Sequence, residues 1–363
     1  SLVSMVKEID IIDDFTLKLI LSEPFGAMIP SLAHPRARIV SPAALKKYGK
    51  DIGRNPVGTG PFKFKSWSAD TLQVVKNDSY WKDGFPKVDG ITVRSVPESG
   101  ARFAMLQTGE AQFVPSFPPE LTQVAEKNPK IEVTKDPSIF EWYVALNNMK
   151  KPFDDIRVRK ALNYAVDKNA FCKIAFSGLC DTADSIIPKN LAFHVSVGSY
   201  DFNIDKAKEL LKEAGLENGF EADIWCGSNT ESIRAAQFIQ QQLAQINVKL
   251  NVLPLESGVA TQKIWSVEKP QDATIQMYYT GWSSSTGDAD WGIRPLLYGK
   301  SFPPALFNVS YYKNAKVDAA LEGALSTAEA GKRKVFYAEA QKAAWDSAPW
   351  IFLGVSRNLA AKS

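Results

Sequence analysis

The sequence predicts an α/β protein of two lobes, and three observations carry that prediction. At 363 residues the chain exceeds a typical domain of roughly 100–200 residues. Its hydrophobic share of 45% and charged share of 23% are those of a globular protein with a sizeable core. Its first part reads as short strands broken by Gly/Pro-rich turns, whereas strand and helix patterns alternate after the segment Ile139–Asn147, the signature of βαβ units. We place an N-terminal mixed α/β lobe at 1–143, a C-terminal α/β lobe at 144–353 and a return segment at 354–363. Two lobes joined by the strands near 139–147 and 352–358 would leave a cleft, the default place for a ligand.

The elements follow in order. Phe15, Leu17, Leu19 and Leu21 alternate along a strand. Ser41-Pro42 and Gly49 supply an N-cap, a first-turn proline and a glycine stop for a short helix. The turn-rich Asn55–Phe62 then leads to strands at 62–67, 71–77 and 91–96, a helix at 118–127 and a strand at 131–134. In the second lobe the periodicity predicts helices at 155–167, 168–176 and 205–215, the last closed by Gly215. Strands at 222–226, 248–253 and 273–280 alternate with helices at 231–246 and 258–267; helices at 315–326 and 330–346 precede a final strand at 350–355.

Composition removes several functional classes. The 43 basic and 40 acidic residues leave a net charge of +3 with no basic stripe to follow a phosphate backbone, which argues against nucleic acid. No apolar run approaches the ~18–20 residues of a membrane span. His34 and His194 stand far apart and only three cysteines are present, so no metal-ligand spacing appears and no cofactor is expected. Cys172 and Cys180 with Cys226 fit either one disulfide or three buried thiols. The opening residues carry no export signal and run directly into a strand, so the chain reads as beginning inside a larger fold. No nucleophile elbow, P-loop or zinc-protease motif occurs. Ser79–Lys82 and Ser310–Lys313 match S-x-x-K, a pattern short enough to arise by chance. The two histidines read as surface or packing residues, Asp154-Asp155 as a helix cap, and no catalytic residue is assigned.

The segment that stands out is Tyr278–Trp291, which follows a probable parallel strand at the end where open α/β sheets bind ligands. It gathers hydroxyls, two carboxylates and two indoles, a set suited to a polar zwitterion. The competing reading is a Ser/Gly-rich surface turn over two packed tryptophans.

Three motifs, Asn55–Phe62, Asn77–Trp81 and Phe153–Asp167, together resemble the peptide and nickel branch (family 5) of the solute-binding proteins of ABC transporters. The resemblance implies a two-lobed periplasmic-binding-protein type II fold with a hinged cleft, here with the first lobe incomplete. It implies a monomer that binds its solute in the periplasm, after export through a signal not present in this chain, and hands it to a permease in the inner membrane. Leu106–Phe113, Gln240–Gln245 and Tyr279–Ser283 are most similar to glutathione-binding members. Dipeptide binders of the family usually carry an aspartate at the position of Ser285 and an arginine near Cys226; this chain has neither. Glutathione or a similar short peptide is therefore the expected ligand, with a di- or oligopeptide as the alternative and a peptide hydrolase or transferase as a remote one. On this resemblance Ser283, Ser284, Ser285 and Thr286 supply donors, Asp288 accepts an ammonium, and Trp282 or Trp291 covers aliphatic parts. Ser228 and Asn229 sit where helix amides would receive a carboxylate, Ser257 is a cleft residue, and Trp142 and Asn147 fall on the strand between the lobes.

Overall fold

The alternating run Phe140–Leu146 is the organising strand of the structure. Tyr143 and Ala145 point into one buried cluster and Val144 and Leu146 into another, as the two-residue period of a strand requires. The computed structural model describes residues 3–363; Ser1 and Leu2, the first of the opening residues read above for a leader, lie outside them. The chain forms two compact units, one of residues up to 33 with 134–359 and one of 34–133 with 360–363.

The larger unit is built on a six-stranded sheet in the order Val248–Leu255, Phe220–Gly227, Met277–Ser283, Phe140–Leu146, Trp350–Ser356, Cys180–Thr182. The first three strands are parallel and the remaining pairings antiparallel, so the sheet is mixed where the βαβ rhythm suggested a mainly parallel one. Sequence rhythm reports the crossovers and is blind to a return strand inserted beside them. One face is covered by a core to which Ile293, Leu321 and Tyr337 of the helices Ala289–Leu297, Ala315–Leu325 and Ala330–Ser347 contribute. The opposite core takes Leu162, Phe171, Leu211 and Ile239 from the helices Ile156–Tyr164, Lys168–Phe176, Ile204–Glu213 and Thr230–Ala244. Asp155, Asp167, Asn203 and Asn229 cap these four helices through their side chains. A two-stranded hairpin, Val6–Asp13 with Thr16–Leu21, belongs to this unit, and Phe25 and Met28 anchor its continuation beside Leu325.

The expected strand at 273–280 is displaced: Ala273 and Ile275 are buried but the ladder begins at Met277 and runs to Ser283. The helix expected at 258–267 is a single turn, Ser257–Ala260, followed by a wider π turn over Thr261–Trp265. Helix Ala289–Leu297 was not anticipated. The smaller unit holds the antiparallel meander Phe62–Trp67, Thr71–Lys76, Gly90–Arg94, the capped helix Pro42–Tyr48 and a helix Ser99–Thr108 closed by the left-handed Gly109. The expected helix at 118–127 is there a short 3-10 turn and one helical turn.

Cys172 and Cys180 form a disulfide and Cys226 is a buried thiol. His34 caps a 3-10 turn through Nδ1, and His194 Nε2 lies 3.0 Å from Asp184. Ser310 is buried and accepts from the Trp350 indole, so that S-x-x-K serine is a packing group. No helix among the described residues is long and apolar enough to cross a membrane.

Candidate ligand-binding edge of the sheet

Pairing directions bring five chain ends to one edge of the six-stranded sheet. The strands ending at Gly227, Leu255, Ser283 and Ser356 all point toward that edge, and the antiparallel strand beginning at Phe140 starts there. Ser228 and Asn229, Ser257, the loop 283–288 and Trp142 therefore gather on one side of the unit. Asn147 does not. It ends its strand at the opposite edge, 1% exposed, donating to Ile275 O at 2.8 Å and accepting from Met149 N. Its part in the structure is to tie two loops there.

Within the loop the roles divide by burial. Trp282 is half-buried, donates through its indole to Trp291 O at 2.8 Å and packs on Phe307 and Trp291. Ser284 is buried and donates to Asp288 O at 2.6 Å, with Thr286 Oγ1 at 3.2 Å. Ser283 and Thr286 are half-buried and Ser285 is exposed at the tip. Gly281 permits this packing, because a Cβ there would lie 2.2 Å from the Phe140 ring.

Asp288 departs from the role expected of it. Both carboxylate oxygens are taken by Arg333, at 2.8 and 2.7 Å, and Oδ1 also accepts from Asp290 N as the cap of Ala289–Leu297. Arg333 in turn lies over the Phe193 and Tyr337 rings. With both side chains buried, this pair braces the loop, and the Asp288 charge is already compensated within the protein. Asp290 is paired in the same manner with Arg294 at 2.7 Å.

On the opposite sheet face Trp142 stacks on Tyr279 at 5.4 Å between ring centroids and donates to Ser356 Oγ at 3.1 Å. Asn229 uses its side chain to cap Thr230–Ala244 by accepting from Ser232 N. One turn into that helix, Arg234 keeps a buried Nε without a partner.

The residue that sequence reasoning passed over is Glu141. It stands opposite Trp282 on one neighbouring strand and Val355 on the other, is 4% exposed, and its Oε1 has no hydrogen-bond partner. Burial, reinforced by the negative charge of Asp184, holds its carboxyl well above the usual carboxylate range. The available signal was a lone acid inside the apolar run Ile139-Phe140-Glu141-Trp142-Tyr143-Val144. Among the described residues no cluster of His, Cys, Asp and Glu is arranged to hold a metal.

With this geometry in hand, comparison with known proteins is decisive for the family. Residues 2–303 match the family model of bacterial extracellular solute-binding proteins, family 5. The chain belongs to that family. The glutathione-binding protein GsiB of Pectobacterium atrosepticum is 43% identical over 367 aligned residues, covering 100% of this chain and 71% of the relative. GsiB of Escherichia coli is 42% identical, covering 99% and 70%. The periplasmic binding protein DppA of Helicobacter pylori, solved with the peptide STSA, superposes with a TM-score of 0.86 at 28% identity, covering 99% of this chain and 70% of that one. A dipeptide-binding protein from Pseudoalteromonas, 24% identical with a TM-score of 0.84, shares the fold. The α/β fold expected from the sequence is thus that of the family 5 binding proteins, and the chain is a solute-binding protein spanning about 70% of its relatives' length.

Proposed function

We propose that this protein is the extracytoplasmic component of an ABC importer, binding glutathione or a similar short peptide in the periplasm and delivering it to the permease in the inner membrane. The observation that carries the reading is the gathering of Ser228, Ser257, Ser285 and Thr286 with Trp282 and Trp142 along one sheet edge, in a chain 43% identical throughout its length to a glutathione-binding protein. Dispersed hydroxyls suit a ligand with two carboxylates, two amides and a thiol. The amides opening Thr230–Ala244 and the neighbouring Arg234 supply positive potential for a carboxylate. The indoles cover aliphatic carbon and exclude water from those polar contacts.

A di- or oligopeptide is the second reading, favoured by the likeness to a DppA and disfavoured by serine at position 285, where dipeptide binders of the family usually carry an aspartate. Isothermal titration calorimetry with reduced glutathione, oxidised glutathione and Ala-Ala separates them. Saturable binding of glutathione alone is the expected result, with Ser285→Ala weakening it by about 0.5–1.5 kcal/mol for a lost neutral hydrogen bond. Binding of Ala-Ala alone would overturn the assignment.

A further inference from the structure

Glu141 borders a cavity of about 100 Å³ formed between strands Phe140–Leu146, Cys180–Thr182 and Trp350–Ser356 and the loop that follows Thr182. Its charged and titratable lining is Glu141, Asp181, Asp184, Lys189 and Arg357. Two of the three acids are already engaged. Asp181 is held by Arg357 at 2.9 Å and Asp184 by His194 at 3.0 Å. Of these acids, Glu141 alone keeps a desolvated oxygen without a partner, on a side chain that borders both this cavity and the crevice beneath Trp282 and Ser284. A buried acceptor left unmade costs more than a typical hydrogen bond returns, so such a group calls for a partner from outside the fold, a ligand donor among them.

We infer that Glu141 is the acceptor for the ligand's primary ammonium, the cavity receiving an α-amino-acid head whose adjacent carboxylate is drawn to Lys189 and Arg357. This inference rests on the peptide-ligand reading above and names the subsite that holds the amine. A cavity of this size admits a head group and leaves the rest of the ligand to extend past Trp282 toward Ser285. An ammonium is the fitting occupant because it donates three hydrogen bonds and carries the compensating charge. A neutral amide satisfies the oxygen without removing the cost of an ionised buried carboxylate.

Proton balance follows from the same placement. Without ligand, burial and Asp184 keep the Glu141 carboxyl protonated to higher pH than an ordinary glutamate. On binding, the protonated carboxyl and the ammonium become a carboxylate–ammonium pair, and one proton leaves to solvent. Binding therefore strengthens as pH rises toward the raised value. His194, Asp181, Lys189 and Arg357 are the other groups around the cavity, and His194→Gln serves as the control for a histidine contribution.

The test is calorimetry of wild type and Glu141→Gln with glutathione, its analogue lacking the amine, Ala-Ala, N-acetyl-Ala-Ala and methylammonium. Matched thermal melts establish that the variant is folded. The expected result is at least a tenfold loss for every amine-bearing ligand that binds, with the amine-free analogues unchanged. Wild-type titrations at a series of pH values above the ordinary glutamate range, in buffers of different ionisation enthalpy, should show proton release for amine-bearing ligands only, a readout that needs no variant. Equal affinity of wild type and variant, no release with an amine-bearing ligand, or no binding of any amine-bearing ligand would overturn the inference. Glutathione bound equally by both proteins sinks this subsite and leaves the glutathione reading standing. Ala-Ala bound in a Glu141-dependent manner without glutathione does the reverse.

Discussion

Removing the Asp288 carboxylate tests whether the candidate loop is held by the protein's own charges or kept for a ligand. In Asp288→Ala the Arg333 guanidinium loses two hydrogen bonds of 2.8 and 2.7 Å at a site where both side chains are nearly inaccessible, 6% for the arginine and 5% for the aspartate. Breaking such a pair from one side costs about 3–5 kcal/mol, because the remaining charge stays buried. The helix cap lost with the same oxygen contributes about 1 kcal/mol on its own and overlaps with the first figure. We expect a loss of about 3–5 kcal/mol, a large share of the roughly 5–15 kcal/mol that stabilises a native protein. Urea unfolding followed by tryptophan fluorescence reads it. Arg333→Met should be costly too, and the double variant much less so than the sum of the singles, since removing both charges removes the desolvation penalty. A single-variant loss under about 1 kcal/mol, or strict additivity, would refute the reasoning. The same variants separate two roles for Asp288 in binding. If it braces the loop, affinity falls equally for glutathione and for the analogue without an amine; if it accepts the amine, only glutathione is affected. We expect the equal loss.

Three further outcomes follow from the packing. The raised carboxyl of Glu141 means that the folded ligand-free protein holds a proton the unfolded chain releases. Its contribution is complete below the unfolded pKa and is lost as pH rises through the raised one, so Glu141→Gln should flatten the fall in melting temperature as pH rises above the ordinary glutamate range. Replacing both Cys172 and Cys180 by alanine opens a loop of sequence separation 8 and should cost about 2.5 kcal/mol in denaturant unfolding by the chain-entropy relation. Gly354→Ala places a Cβ 2.5 Å from Asp181 O and 2.8 Å from Cys180 Sγ, so a lowered melting temperature equivalent to about 1–3 kcal/mol is expected from overpacking; an unchanged melt would mean that the neighbouring strand yields.

The fold was legible where one local pattern decides an element. Strands expected at 222–226 and 248–253 and the helix at 231–246 appear as Phe220–Gly227, Val248–Leu255 and Thr230–Ala244, because hydrophobic period and an Asn cap act within a few residues. The helix Ala289–Leu297 was hidden by the Ser/Gly-rich residues before it and by Pro295 within it, which local propensity scores against a helix. Its start is set by Asp288, and Asp288 is fixed by Arg333, 45 residues away, a contact that no periodicity reports.

The candidate site shows the same division with more consequence. By residue type, Asp288 in a polar loop looked like the acid waiting for a cation, and Glu141 in an apolar strand drew no notice. What decides between two carboxylates is their unspent hydrogen-bonding capacity, and that depends on partners brought in by tertiary structure. Asp288 spends its oxygens on Arg333 and a helix amide. Glu141, walled by Trp282 and Val355 from adjoining strands, meets no donor at Oε1. Loop composition therefore pointed to this edge of the sheet and to Asp288, whose oxygens the fold already engages, and passed over Glu141. An acid in the interior of a buried strand faces a burial penalty that a loop acid avoids, which makes it the stronger candidate for a contact only the ligand supplies.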